Sequence, residues 1–375
     1  MKKVVYITLA IGLVVCGGIF AQTPKISLNA RVSGSLGTVD LDNGENNKSI
    51  NLGGVSNTDT FGIEITDKLA GAKVSLKGSD LIDSSSGGNI QVDDYYGWMK
   101  FGDLKLTAGE WDHRYVNRVT SDGSNFGGLW DLKYGIITRK SGSEGDITVA
   151  VNNETDNLTP WEIELAADYV KDALTVSFST GNTNNNNTAY PNYKDYGVKD
   201  YFGIRSAYKV KDRADVSAAF TMNGKNIGNV GVFISPVFIK NLTLVAGYSG
   251  NYDFDVSENN KHAIEVRARY VIDKLSVTTH DNLTMGDKNM IIYDMLNVTY
   301  KINDIFVPSI MIANSNFSGD NAAWKGNVLT VRPAITLNAQ KGASIDAGLR
   351  LKMTSPETGD DIKVMDFPVV FRIKF

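Results

Sequence analysis

From residue 25 onward the 375-residue chain is written in short runs of alternating apolar and polar residues. Ile26, Leu28, Ala30 and Val32 alternate with Lys25, Ser27, Asn29 and Arg31, and the same beat returns at Phe61–Ile65, Ala72–Leu76, Trp130–Ile136, Ile147–Val151, Trp161–Tyr169 and Leu174–Phe178. A period of two belongs to a strand whose two faces meet different surroundings, and no run carries the helical period. Pro236, Pro308, Pro333 and Pro368 fall inside strand-like runs, where a missing N–H weakens a central strand.

The connections between runs are of two kinds. Short reversals carry Asp or Asn, as at Asp67-Lys68-Leu69, Gly102-Asp103, Lys171-Asp172-Ala173, Lys211-Asp212-Arg213, Lys240-Asn241, Asp273-Lys274 and Asn303-Asp304. These side chains bond to nearby backbone and tolerate left-handed geometry, which suits hairpins. Long polar connections alternate with them, at Asp40–Asn57, Ser79–Val92, Asp112–Gly128, Gly181–Asp200, Gly250–Lys261 and Asn314–Lys325. Short turns at one end and long loops at the other are the asymmetry of an outer-membrane barrel. Counting both kinds predicts about twenty strands, with 16 or 18 as neighbouring counts, in one domain spanning residues 22–375.

A soluble sandwich or propeller shares the alternation. Two features favour a membrane. Phe202–Val210, Ile264–Ile272, Leu329–Leu337 and Ile345–Met353 approach the roughly 9–11 residues that cross a bilayer at a tilt. Aromatic residues also gather at run ends, among them Tyr95, Trp98, Trp130, Trp161, Tyr201, Tyr248, Tyr270 and Tyr300, as interfacial girdles do. No stretch after the N-terminus reaches about 18 consecutive apolar residues, so crossing a bilayer requires a closed barrel.

Residues 1–21 read as a cleaved secretory signal: Lys2 and Lys3, an apolar Val4–Val15, then Ala21 before Gln22. Lipidation at Cys16 is the rival, with the bulky Val15 against it. Cleavage removes the only cysteine and takes the formal charge from −4 to −6, so neither disulfides nor nucleic-acid binding is expected.

The last ten residues, Asp366–Phe375, set Phe367, Val369, Phe371, Ile373 and Phe375 on one face and Arg372 and Lys374 on the other. This run resembles the C-terminal strand of Gram-negative-type outer-membrane β-barrels. The resemblance implies an assembly signal at Phe371, Ile373 and Phe375, read by the barrel-assembly machinery. The fold expected is all-β: a single transmembrane antiparallel up-and-down barrel of about 16–20 strands, with short periplasmic turns and long external loops.

An arginine facing lipid at the midplane costs about 2–4 kcal/mol, so cations on the non-apolar phase belong inside. Arg31, Arg205, Arg267, Arg269, Arg332, Arg350 and Arg372 all fall on that phase and are the candidate pore-lining residues. Closure of the barrel would bring Arg332, Arg350, Arg372 and Arg31 onto one arc, either as a basic ladder or as separately solvated charges. The segment Tyr95–Arg118, YYGWMKFGDLKLTAGEWDHRYVNR, resembles the porin stretch that leads into the third external loop. That resemblance implies an inward-folded constriction loop with Asp112, Arg114, Arg118 and Asp122. The chain departs from the porin pattern at Glu110-Trp111 and lacks a dense acidic run, which leaves the charge of the constriction open.

Three histidines, His113, His262 and His280, stand without any hydrolase, metalloprotease or phosphate-loop motif, so neither an enzyme nor a cofactor or metal is expected. His280-Asp281 reads as a polar loop margin. The function expected is passive diffusion of small hydrophilic solutes and ions through a charge-lined lumen in an outer membrane, with lipid as the surrounding partner. Porins imply a homotrimer. Phe20-Ala21-Gln22 and the general character of the chain are also similar to spirochaete porins and variable surface proteins. The alternative is a surface antigen or adhesin barrel with a filled lumen.

Overall fold

The computed structural model describes residues 24–40, 48–49, 53–79, 89–111, 162–182, 202–222, 226–286, 288–320, 325–340 and 342–374. The strands are β1 (Lys25–Asp40), β2 (Lys48–Ser49), β3 (Gly53–Thr66), β4 (Ala70–Ser79), β5 (Asn89–Phe101), β6 (Leu104–Trp111) and β7 (Glu162–Lys171). They continue with β8 (Leu174–Asn182), β9 (Phe202–Val210), β10 (Ala214–Met222), β11 (Ile227–Pro236), β12 (Leu242–Asp253), β13 (Lys261–Ile272) and β14 (Leu275–Gly286). The last are β15 (Asn289–Tyr300), β16 (Phe306–Gly319), β17 (Gly326–Gln340), β18 (Ala343–Gly348), β19 (Arg350–Pro356) and β20 (Ile362–Lys374). One short 3₁₀ turn, Ser257–Asn259, interrupts the loop after β12.

All twenty strands form a single sheet, every described pairing is antiparallel, and β20 returns to pair with β1, which closes the ring. β2 pairs with β1 just beyond the end of β3 and extends its stave. β18 and β19 lie end to end between β17 and β20. The wall therefore has eighteen staves. The count of twenty is corrected because β6 pairs directly with β7, from Leu104↔Tyr169 to Trp111↔Ile163. The alternating runs at 130–136 and 147–151 lie outside the described residues, between two staves that are already neighbours.

The turns follow the chemistry read from the sequence. Asp172, Asp212, Asn241 and Asp273 take positive φ of 49°, 57°, 65° and 50°, and Gly102 takes 60°. At Asn303 the side-chain Oδ1 accepts from Ile305 N at 2.9 Å and from Phe306 N at 2.8 Å. The opposite end is less uniform than expected. β14 and β15 are joined through residues 287–288 alone, and β16 runs on to Gly319, so Asn314 and Asn316 belong to a strand and not to a loop.

Exposure follows the strand phase, inverted relative to a soluble protein. On β16, Met311, Ala313, Ser315 and Phe317 are buried while Ile310, Ile312 and Asn316 are exposed. Around the ring the exposed phase carries Ile26, Phe61, Leu165, Phe178, Ile204, Val232, Ile264, Leu296 and Phe371, and the buried phase carries Ser75, Ser177, Ser179, Thr221, Thr278, Asn297 and Thr330. Apolar outside and polar inside is the pattern of a barrel solvated by lipid.

An outward aromatic belt runs along the long-loop end. Phe178 stacks on Phe202 (6.4 Å) and Phe202 meets Phe220 (6.0 Å). Tyr248 Oη lies 2.6 Å from Tyr252 Oη and 2.8 Å from His262 Nδ1. Tyr270 and Tyr300 mark the short-turn end. Trp98 departs from the girdle reading: it shares the phase of Lys100, opposite outward Met99 and Phe101, and the ammonium groups of Lys100 and Lys105 lie 5.5 and 5.0 Å from its ring centre. Gly71 makes room beneath that ring, since a Cβ there would fall 2.6 Å from it. Trp130, Trp161 and Tyr201 lie outside the described residues.

Two of the strand prolines sit together. Pro333 of β17 and Pro368 of β20 flank the break at Leu349 between β18 and β19, where Leu349 N donates to Pro333 O. Pro368 also adjoins the register shift between Ser35 and Thr38 of β1. Two residues without an N–H face a place where the ladder is already interrupted, which is how a sheet tolerates them.

Candidate pore wall

The inward phase of β17–β20 gathers the densest charge in the described wall. Arg350 Nε donates to Asp366 Oδ1 at 2.8 Å, and Arg350 Nη2 bonds Asp366 Oδ2, a two-pronged pair across β19 and β20. Planar guanidinium and carboxylate fit each other in this geometry, which fixes both side chains. Lys352 follows on the same phase and is half-buried. On β18, Asp346 is buried and accepts from Thr336 Oγ1 at 2.6 Å. Arg332 of β17 is 1% exposed, the largest fully buried side chain described.

Topology places four of the expected arginines on neighbouring staves. Arg31 and Arg372 are direct register partners across β1 and β20, and Arg372 also opposes Ser344 near the short-turn end. Arg350 opposes Asp366 farther up the wall. The arc is not purely basic, because Asp346 and Asp366 interrupt it. Asp366 carried a legible signal: it shares the alternating phase of Arg372. Asp346 sits between apolar Ile345 and Ala347, with nothing but its phase to mark it.

Elsewhere, Arg205 is half-buried on the inward phase of β9, opposite Ser177 and Ala219. Arg269 Nε donates to Ser276 Oγ at 3.0 Å. Arg267 is the register partner of His280. His280 is corrected from a loop margin to a mid-strand residue: it is fully buried on the inner phase of β14, edge-on to Tyr293 at 5.1 Å. Asp281, next in the chain, faces the other way. Asp112, Arg114, Arg118 and Asp122 lie outside the described residues, as does Phe375. Phe371 and Ile373 are exposed on the outward phase of β20.

One inner sector differs from the rest. Tyr293, Met295, Met311 and Ala313 form a buried apolar cluster on the inward phase of β15 and β16. With Thr278, His280, Asn297, Thr330 and Arg332 beside them, all nearly inaccessible, the middle of the inner face of β14–β17 is covered. Across β18–β20 the inward side chains of Ser344, Arg350 and Lys352 keep partial exposure. Among the described residues no group of three His, Cys, Asp or Glu could hold a metal ion.

No family model and no curated relative matches the chain. Solved structures do. The outer membrane protein OpdK of Pseudomonas aeruginosa superposes with a TM-score of 0.58 at 9% identity, over 94% of this chain and 99% of that one. OccK9 (OpdG) of the same organism gives 0.59 at 11%, over 94% and 98%. OccAB4 of Acinetobacter baumannii gives 0.56 at 9%, over 94% and 99%. The shared feature is the fold, an antiparallel up-and-down barrel of porin type.

Proposed function

We propose that this chain is an outer-membrane porin through which small hydrophilic solutes and ions diffuse passively. The reading rests on one observation, an eighteen-stave closed ring whose outward phase is apolar and whose inward phase carries charge. Such a ring is stable only with lipid outside, and its charged wall needs water or polar partners inside. The outer-membrane protein among its structural neighbours supports the location.

In this reading residues 1–21 direct export and are removed. The barrel-assembly machinery recognises the outward alternation of β20 at Phe371, Ile373 and Phe375. Solutes pass along the half-exposed sector of β18 and β19 and the adjoining β20 and β1, where Arg350, Lys352, Arg372 and Arg31 set selectivity with Asp366 in opposition. The segment holding Asp112, Arg114, Arg118 and Asp122 narrows the path. The chemistry is electrostatic steering, not catalysis.

The covered middle of the inner face of β14–β17 favours a second reading, a barrel with little conductance that serves mainly as surface. Single-channel recording of the refolded mature chain separates the two. Discrete steps, with a reversal potential that shifts in a salt gradient, are expected. A folded, heat-modifiable protein that stays electrically silent would refute the porin reading.

A further inference from the structure

The outward face is apolar around most of the ring, but it is interrupted between β14 and β17. Asp281 and Asp294 are direct register partners, and Asp294 directly opposes Asn314. All three share the outward phase of Leu283, Leu296 and Ile312. Asp281 and Asp294 are exposed, as is Asn316 two residues beyond Asn314. This row is not at a rim: Leu283, Met285, Ile292 and Met290 continue the apolar phase toward one end, and Val277, Leu296 and Val298 toward the other. Acyl chains offer nothing to carboxylates or amides, and two carboxylates directly opposed on one face repel each other.

The row has an internal order. Its carboxylates lie on β14 and β15, and its amides, Asn314, Asn316 and Asn327, on β16 and β17. Asn327 Nδ2 donates to Asn314 Oδ1 at 2.8 Å, which engages the Asn314 carbonyl and turns its NH2 into the group that can donate outward. Acceptors on one side of the β15–β16 line and donors on the other are self-complementary under a two-fold axis parallel to the barrel. Rotation about that line sets Asp294 of each copy against Asn314 of the other, at matching depth. Along the same register row the outward phase carries a cation at Lys363, three staves beyond Asn314 through Leu329 and Met353, so it does not pair with the carboxylates within one barrel.

We propose that β14–β17 is the contact face of a two-fold homodimer, with a second copy of this chain covering the Asp281–Asp294–Asn314 row. The inference needs the barrel to span a membrane but not to conduct, so an electrically silent protein leaves it standing.

Cys16 is the only native cysteine, so disulfide trapping is clean. Asp294→Cys and Asn314→Cys, carried on two separate co-expressed chains because register partners would bridge within one barrel, are expected to yield a covalent dimer when oxidised in the outer membrane. Ile204→Cys and Ala218→Cys, outward on β9 and β10 and likewise carried on two separate chains, are expected to remain monomeric. In mild detergent with light scattering, the wild type should show twice the protein mass of Asp294→Leu/Asn314→Leu, with both heat-modifiable. Four results would each overturn the proposal: absence of cross-linking between correctly folded Asp294→Cys and Asn314→Cys chains, equal cross-linking at the control pair, covalent attachment to another polypeptide, or a trimer mass.

Discussion

Arg350 and Asp366 hold each other with side chains only 18% and 11% exposed, and that makes the pair asymmetric under mutation. Removing one partner strands the other's charge, whereas removing both does not. Asp366→Ala is expected to cost about 1–3 kcal/mol, read as a lower urea midpoint, while Arg350→Met/Asp366→Met recovers most of it. The two single changes should also move the reversal potential in opposite directions. Asp366→Ala leaves Arg350 and Lys352 uncompensated and raises anion preference, and Arg350→Ala lowers it. Gly109 gives a second residue-scale test. Its φ is 140°, it sits at the register shift in β6, and an added Cβ would fall 2.2 Å from Tyr95 O. Gly109→Ala should therefore cost about 1–3 kcal/mol, again read from the unfolding midpoint.

At the scale of strands, the face assignment is directly testable. Val232 lies outward at the middle of β11, and Ser217 lies inward on β10. Val232→Arg is expected to destabilise the barrel by about 2–4 kcal/mol, while Ser217→Arg leaves the unfolding midpoint nearly unchanged. Equal effects would mean that the phases are misassigned. Most of this was legible in the sequence because lipid on one side and polar surroundings on the other impose period two locally, and Asp or Asn marks the tight turns. What escaped has physical reasons. Alternation reports a strand's faces and not its neighbours, so runs between β6 and β7 were counted as staves. Asn314 and Asn316 read as loop because polar residues are rare on a lipid-facing phase. The inner cluster of Tyr293, Met295 and Met311 was hidden because β15 is apolar on both phases, so the inner face leaves no contrast.

The whole ring depends on β20, which pairs with β1 on one side and with β18 and β19 on the other. Phe371→Ser/Ile373→Ser is expected to reduce the yield of heat-modifiable barrel several-fold in cells while changing the stability of the surviving folded fraction much less. Equal losses in both would assign these side chains to packing alone. Four of the expected pore arginines were brought to adjacent staves by closure, an outcome that follows from strand order. Their opposition by Asp346 and Asp366 does not follow from strand order and depends on register.

Closure also has a cost in time. Arg31 and Arg372 meet although 341 positions separate them, whereas neighbouring hairpins pair across a few residues. Until β20 exists, β1 is a sixteen-residue strand with one edge unpaired. At about 5–20 residues per second, synthesis separates the appearance of the two partners by roughly 17–70 s, before either is folded. An unpaired edge of this length is a template for wrong partners, including β1 of another copy. The strand made first is thus the one most in need of a chaperone, and the strand made last releases it.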